Sequence, residues 1–508
     1  MKKNNKHYLP LTLILVILLV IGFYWRVYGL NNNYSFWTDE NHVAIFVRAI
    51  LEKGKPILTN GYSTKDQQLQ YWLSSISVKV FGLNEFGVRF PSVLFGTLTV
   101  LATYLLGSCL FNRKVGFFAS LLTALLKIEI LWSRQTRPYQ ALQFFYLLGA
   151  YFIYRLVIEK KFDWHYFLGF LACGVLASLM HGLGLVVFFS GFVYLLIFKT
   201  PWFNKKWMFL GLFLFLLFGW FFRVSIFIVF SQVGQIENLF YYRVFLTHNY
   251  LLLCLLAVLG GFLLIWRRNY QELLLFVIFP GVQIIIISFF LGQPFVRYFY
   301  PVFPFIILLA SYGAIEIGYW ILDIRKKRDI KNQKLDISKN TNIQYLISSI
   351  IIFLLFFSLW KSDKLSLFPQ KVYSLNSDMQ EVPEVDWKKI YGFVGQKLDE
   401  NPGAVLITNW NDLPVWYLGE GRLNYFVRET RIEKDSFSGA DMVNSLDSFI
   451  DLLKTQKKGL FVLDSWDNFV PDGIREYCHK NLKRELEIDR LYPVQPRYWT
   501  VWVYSWGI

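Results

Sequence analysis

The sequence predicts a polytopic α-helical membrane protein of about eleven spans with an extracytoplasmic α/β domain at its C-terminal end. Three observations predict it. Of 508 residues, 55% are apolar and 17% charged, against about 25% charged in an average soluble chain. The apolar residues come in blocks near the length of a bilayer crossing, separated by short basic punctuation. After residue 360 the blocks stop and strand and helix patterns of a soluble kind take over.

The net charge of +16, from 52 Lys and Arg against 36 Asp and Glu, follows from the same architecture. Cytoplasmic loops of membrane proteins collect basic residues, and no basic patch with interleaved aromatics suggests a nucleic-acid partner. Four cysteines, Cys109, Cys173, Cys254 and Cys478, form neither a disulfide framework nor a paired metal motif.

Lys2, Lys3 and Lys6 precede an apolar run from Leu9 to Phe23 with no small-residue cleavage site after it, so an uncleaved first span is expected. Spans are placed near 8–29, 88–110, 116–133, 139–158, 166–180, 182–198, 207–230, 249–266, 273–291, 301–322 and 343–360. Every second connection is basic: Arg113 and Lys114, Lys160 and Lys161, Lys205 and Lys206, Arg267 and Arg268, then Arg325 through Lys339. That side is assigned to the cytoplasm, with the N-terminus. The 1–360 segment is thus a transmembrane domain with a first external loop over 30–87, and 361–508 lies outside.

The external loop has helical periodicity over 39–53 and an apolar stripe over 68–82, as of amphipathic helices on a membrane surface. In the tail, Val405–Thr408, Leu460–Leu463 and Tyr498–Tyr504 read as strands, and 385–400, 445–457 and 472–485 as helices. The tail has no phosphate-binding glycine loop and no nucleophile elbow.

Ionisable groups at a membrane face are functional candidates by default. Asp39 and Glu40 follow the first span; acids in a first helical turn also serve as caps or dipole partners. Ser133-Arg134-Gln135-Thr136-Arg137-Pro138-Tyr139 places two arginines where basic residues are normally scarce. Arginine suits bidentate phosphate contacts, although snorkelling to headgroups is the alternative. Arg89, His181 and the Arg297-Tyr298 pair are assigned to the same face, where a lone histidine often serves structure only. Lys127 and Glu129 are spaced to pair along one helix.

A carboxylate pair, several arginines and a histidine on one face suit transfer from a lipid-linked phosphate donor to an acceptor hydroxyl. The carboxylate takes the acceptor proton and cations hold the leaving phosphate. A phosphate monoester has its second pKa at about 6, so one carboxylate can suffice.

At these residues the chain resembles bacterial membrane glycosyltransferases of the GT-C fold, in the group related to dolichyl-phosphate-mannose protein mannosyltransferases and lipid A aminoarabinose transferases. The matching features are Trp37-Thr38-Asp39-Glu40, the stretch from Phe81 to Ser92, Arg137-Pro138-Tyr139, His181, and Arg297-Tyr298 followed by Pro301 and Pro304. They cover about residues 8–320. The resemblance implies that Asp39 is the catalytic carboxylate, supported by Glu40. It also implies a polyprenyl-phosphate sugar donor, inversion at the anomeric centre, and a protein, glycolipid or polymer acceptor. Arg89, Arg134, Arg137, Tyr139, His181, Arg297 and Tyr298 become substrate-binding candidates, and a divalent cation is a possible cofactor. The chain departs from the pattern at Gln135, where many relatives have an acid, and across Asp66–Trp72. A transporter or flippase of a lipid-linked sugar is the alternative; it calls for ionisable residues at mid-bilayer and for repeated halves, and neither is evident.

Overall fold

The structure is a computed structural model that describes residues 8–30, 35–36, 38–64, 66–159, 161–198, 236–329, 337–371, 373, 385–465, 469–489 and 500–508. The span expected over 207–230 lies outside the described residues. Chain contacts define two compact units: residues 1–28, 92–134 and 138–370, and residues 29–91, 135–137 and 371–508.

The first unit is helical. Its elements are α1 (Tyr8–Val27), most of α4 (Glu85–Leu110), α5 (Arg113–Leu125), α6 (Lys127–Ser133), α7 (Tyr139–Ile158), α8 (Trp164–Met180), α9 (Leu185–Ile197), α10 (Ile236–Trp266), α11 (Tyr270–Phe289), α12 (Val296–Phe299), α13 (Phe303–Asp329) and α14 (Ile337–Lys361). Among the described residues, five helices are long and apolar enough to cross a membrane, and shorter apolar helices accompany them. Large apolar side chains face outward, including Val20 at 61%, Val258 at 73% and Phe353 at 65% exposure. That is the inverse of a water-facing surface and suits lipid.

The span expected over 116–133 is two helices broken at Leu126, whose backbone is extended. Leu126 forms a short antiparallel bridge with Leu365, and the Lys127 N–H donates to the Lys364 carbonyl at 2.9 Å. The buried Arg26 guanidinium donates to the carbonyls of Thr123 and Ala124 at 3.0 and 3.3 Å. Those carbonyls lie in the last turn of α5, where intrahelical partners run out. Lys127 pairs with Asp363 and not with Glu129, because Lys127 and Glu129 lie two residues apart within α6, where helical side chains point to different faces. His181 separates α8 from α9 in an extended conformation, as the His181-Gly182 connection suggests.

The second unit joins the external loop to the tail. A six-stranded sheet runs in the order β3-β2-β1-β4-β6-β5, from β1 (Val405–Thr408), β2 (Tyr425–Val427), β3 (Asp441–Val443), β4 (Gly459–Asp464), β5 (Lys483–Asp489) and β6 (Thr500–Trp506). The first four strands are parallel and β6 and β5 antiparallel. Helices α15 (Trp387–Glu400), α16 (Asp412–Leu418), α17 (Leu446–Thr455) and α18 (Ile474–Asn481) flank it. The helix expected over 472–485 stops at Asn481. Lys483-Arg484-Glu485-Leu486-Glu487-Ile488 alternates with period two and becomes a charged edge strand.

The helix expected over 39–53 is α2 (Thr38–Lys53), and it does not lie freely on a surface. Val43, Ala44, Phe46, Val47 and Ile50 are buried with Val415 and Trp416 of α16 in one apolar core. Arg48 donates to the Trp416 carbonyl at 2.7 Å. The second expected helix, α3 (Gln68–Phe81), buries Gln70, Ser74, Ser75 and Ser77 and exposes Trp72, Ile76 and Val80. Polar residues inward and an apolar stripe outward at i, i+4, i+8 suit an interfacial helix.

Candidate active site

In the second unit, Asp39 and Glu40 open α2, but their environments differ. Glu40 is fully buried. Its carboxylate takes Nε of Arg89 at 2.8 Å, Nη2 of Arg89 at 2.6 Å and the Thr136 N–H at 2.8 Å. Arg89 comes from the first turns of α4, is itself buried, and its guanidinium sits 4.9 Å from the Phe36 ring centre. This bidentate pair ties α2, α4 and the 135–137 segment together. Gln70 of α3 adds to it by donating to Thr136 Oγ1 at 3.2 Å.

Asp39 keeps 30% of its side chain exposed. Arg137 approaches it from one side, with Nη2 3.1 Å from Oδ2 and Nη1 donating to the Asp39 carbonyl at 2.8 Å. One carboxylate is thus consumed by the scaffold, and its neighbour is oriented yet accessible.

Two residues near Asp39 were not evident from sequence. His42 stacks edge-on against Phe46 and Phe437, with ring centres 5.2 and 5.4 Å apart. Burial and the Arg137 charge push its imidazole down to about 4, against the pull of Asp39 and Asp66, so it is neutral at pH 7. Asp412 opens α16 just past the end of β1, beside the point where strand order reverses between β1 and β4; ligands of open α/β sheets collect there. It is buried, and its Oδ1 has no hydrogen-bond partner among the described residues. Burial, with the charges of Asp39 and Asp435, pushes its carboxyl up to about 7, while the N–H groups of Asp412 and Leu413 oppose this. The position of Asp412 just after the strand expected over Val405–Thr408 is the signal the sequence offers.

Because the folded state holds the Asp412 proton more tightly than the unfolded chain, this residue costs stability as pH rises from about 4 to about 7. Asp412→Asn is expected to flatten that fall in thermal melts at pH 5 to 8 and to raise stability at the alkaline end. An unchanged pH profile would contradict the assignment.

The remaining candidates lie in the first unit. Tyr139, His181 and Tyr298 form an aromatic group, with ring centres 5.3 Å apart for Tyr139–His181, 6.1 Å for Tyr139–Tyr298 and 6.3 Å for His181–Tyr298. His181 Nδ1 accepts the Leu183 N–H at 3.1 Å, which leaves the ring proton on Nε2. The Arg297 guanidinium lies 4.0 Å from the Phe295 ring centre and 5.5 Å from that of Tyr298. Arg134 has a structural place: it donates to the carbonyls of Arg26 and Tyr28 at 3.0 and 2.7 Å, closing the end of α1. Among the described residues, no three His, Cys, Asp or Glu side chains come together to hold a metal ion.

The fold is the GT-C architecture of polytopic membrane proteins. Residues 68–221 match the family described as dolichyl-phosphate-mannose-protein mannosyltransferase. An uncharacterized protein of Aquifex aeolicus (strain VF5) is 30% identical over 217 residues, 41% of this chain and 42% of that protein. The undecaprenyl phosphate-alpha-4-amino-4-deoxy-L-arabinose arabinosyl transferase 2 of Proteus mirabilis (strain HI4320) is 29% identical over 123 residues, 23% of this chain and 22% of that protein. These matches span less than half the length of either relative. The crystal structure of ArnT from Cupriavidus metallidurans bound to undecaprenyl phosphate superposes with a TM-score of 0.60 at 14% identity, over 97% of each chain.

Proposed function

We propose that this protein transfers a sugar from a polyprenyl-phosphate donor to an acceptor hydroxyl on the extracytoplasmic face, with inversion and with Asp39 as base. The observation that carries this reading is the division of labour in Asp39-Glu40. Glu40 is locked by Arg89, while Asp39 is oriented by Arg137 and keeps 30% of its side chain accessible to an acceptor hydroxyl. The acceptor oxygen bonds to the anomeric carbon and gives its proton to the Asp39 carboxylate. The bond from that carbon to the phosphate oxygen breaks, and its electron pair leaves with the polyprenyl phosphate. That phosphate needs little protonation near neutral pH.

Arg137 orients Asp39 in this scheme, and Glu40 and Arg89 hold α2 in place. Arg89 is engaged with Glu40, and the donor phosphate is assigned to Arg297, a cation that the family resemblance also singles out. Tyr139, His181 and Tyr298 contribute a rigid aromatic surface for the donor. The basic alternation of the loops supports placing the N-terminus in the cytoplasm and the C-terminal domain outside. The fold shared with ArnT bound to undecaprenyl phosphate supports the choice of lipid carrier. Mass spectrometry of envelope glycans from cells lacking the protein tests the reading in vivo. One sugar is expected to vanish from one class of glycan; an unchanged profile would count against it.

A further inference from the structure

The first unit buries a carboxyl group that the proposed reaction does not use. Glu129 of α6 is fully enclosed. Its two oxygens meet Gln143 Nε2 at 3.3 Å and the Tyr300 hydroxyl at 2.8 Å. The same hydroxyl lies 2.6 Å from Oε1 of Gln140. A phenol has one proton to give, so it cannot serve both oxygens.

The two amides decide where that proton goes. Gln143 Nε2 also reaches the Tyr300 carbonyl at 3.0 Å, so two acceptors fix it as the NH₂ end. Gln143 Oε1 then faces Gln140, 3.1 Å from its Nε2. Gln140 is thereby turned with its oxygen toward Tyr300, and the phenolic proton belongs between them. The remaining contact, Glu129 to the Tyr300 oxygen, needs a proton from Glu129. Turning Gln140 alone sets its oxygen against that of Gln143. Turning Gln143 sets its oxygen against the Tyr300 carbonyl. Every arrangement with an ionised Glu129 leaves two acceptors in contact, which a buried site does not tolerate cheaply.

We infer that Glu129 is a neutral carboxylic acid whose proton fixes Tyr300, and that it is a positioning residue for the aromatic group formed by Tyr139, His181 and Tyr298. Trp132 carries the connection, with its ring centre 5.6 Å from that of Tyr139 and 5.5 Å from that of Tyr300. Tyr300 itself follows Tyr298 by two residues, so fixing its ring fixes the end of α12. A neutral acid is also the form that hydrocarbon surroundings favour. The buried Arg26 guanidinium is a cation of the same unit, and a cation favours an ionised carboxylate. Arg26 is engaged with the carbonyls of Gly22, Thr123 and Ala124, which blunts that pull.

The spectroscopic part stands alone, whereas the consequence for turnover rests on the proposed glycosyl transfer. Infrared difference spectra of the full chain in lipid nanodiscs, wild type minus Glu129→Gln at neutral pH, test the proton directly. The expected result is loss of a protonated-carboxyl C=O band with the carboxylate bands unchanged; loss of a carboxylate band instead would overturn the inference. Glutamine can donate to Tyr300 and accept from Gln143, so Glu129→Gln is expected to transfer sugar within about twofold of wild type. Glu129→Ala, which strands both partners, is expected to lower kcat/KM for the donor about tenfold or more. A loss with Glu129→Gln as large as that with Glu129→Ala would overturn the positioning role. If the wild type transfers no sugar, the proposed function fails while the infrared bands still decide the protonation state.

Discussion

Replacing Asp39 by Asn is expected to lower sugar transfer by about 10²- to 10⁴-fold, the range typical of losing a general base, while the protein still folds. Asn keeps the size of the side chain and its place in the first turn of α2. The Arg137 contact with the Asp39 carbonyl, at 2.8 Å, does not depend on the carboxylate at all. What disappears is a proton acceptor on a side chain that is 30% exposed. A steady-state comparison of wild type and variant at saturating donor reads the effect in kcat. Transfer at the wild-type rate would remove Asp39 from the mechanism.

Breaking the neighbouring pair is expected to act on stability. Glu40→Ala leaves Arg89 buried beside Phe36 without its carboxylate, and Arg89→Ala strands Glu40 with the Thr136 N–H alone. Removing one partner of a buried pair costs about 3–5 kcal/mol, whereas replacing both by apolar residues costs much less. Thermal melts in detergent should therefore show a large drop for either single variant and a smaller one for Glu40→Leu combined with Arg89→Leu. If the single variants melt like wild type, the pair is not the clamp described here.

Hydropathy and charge patterning made the helical membrane unit and the mixed tail legible, because burial in lipid and burial in a small sheet leave different periods in a sequence. The break at Leu126 was not legible. It depends on Arg26 reaching the α5 carbonyls and on residues 364–366 pairing with the exposed backbone, both long-range events. The helix expected over 472–485 runs into the first three residues of β5 because Lys483–Asp489 has too few apolar residues to announce its alternation. At the site, Asp39, Glu40, Arg89 and Arg137 were all singled out from sequence, and the structure brings these four together in one unit. The difference in their roles was not visible, since local sequence records adjacency and not which carboxylate an arginine from α4 captures. Asp412 and His42 were missed for the related reason that their character comes from burial beside Asp39, and Asp412 lies more than 350 residues away in the chain.

The most direct test of the account is a stoichiometry measured in sealed vesicles containing the purified protein and a polyprenyl-phosphate-linked sugar, with acceptor supplied outside. Glycosylated acceptor and free polyprenyl phosphate are predicted to appear in equal amounts as the linked donor declines. Passage of intact lipid-linked sugar across the bilayer, with no free polyprenyl phosphate formed, would contradict it.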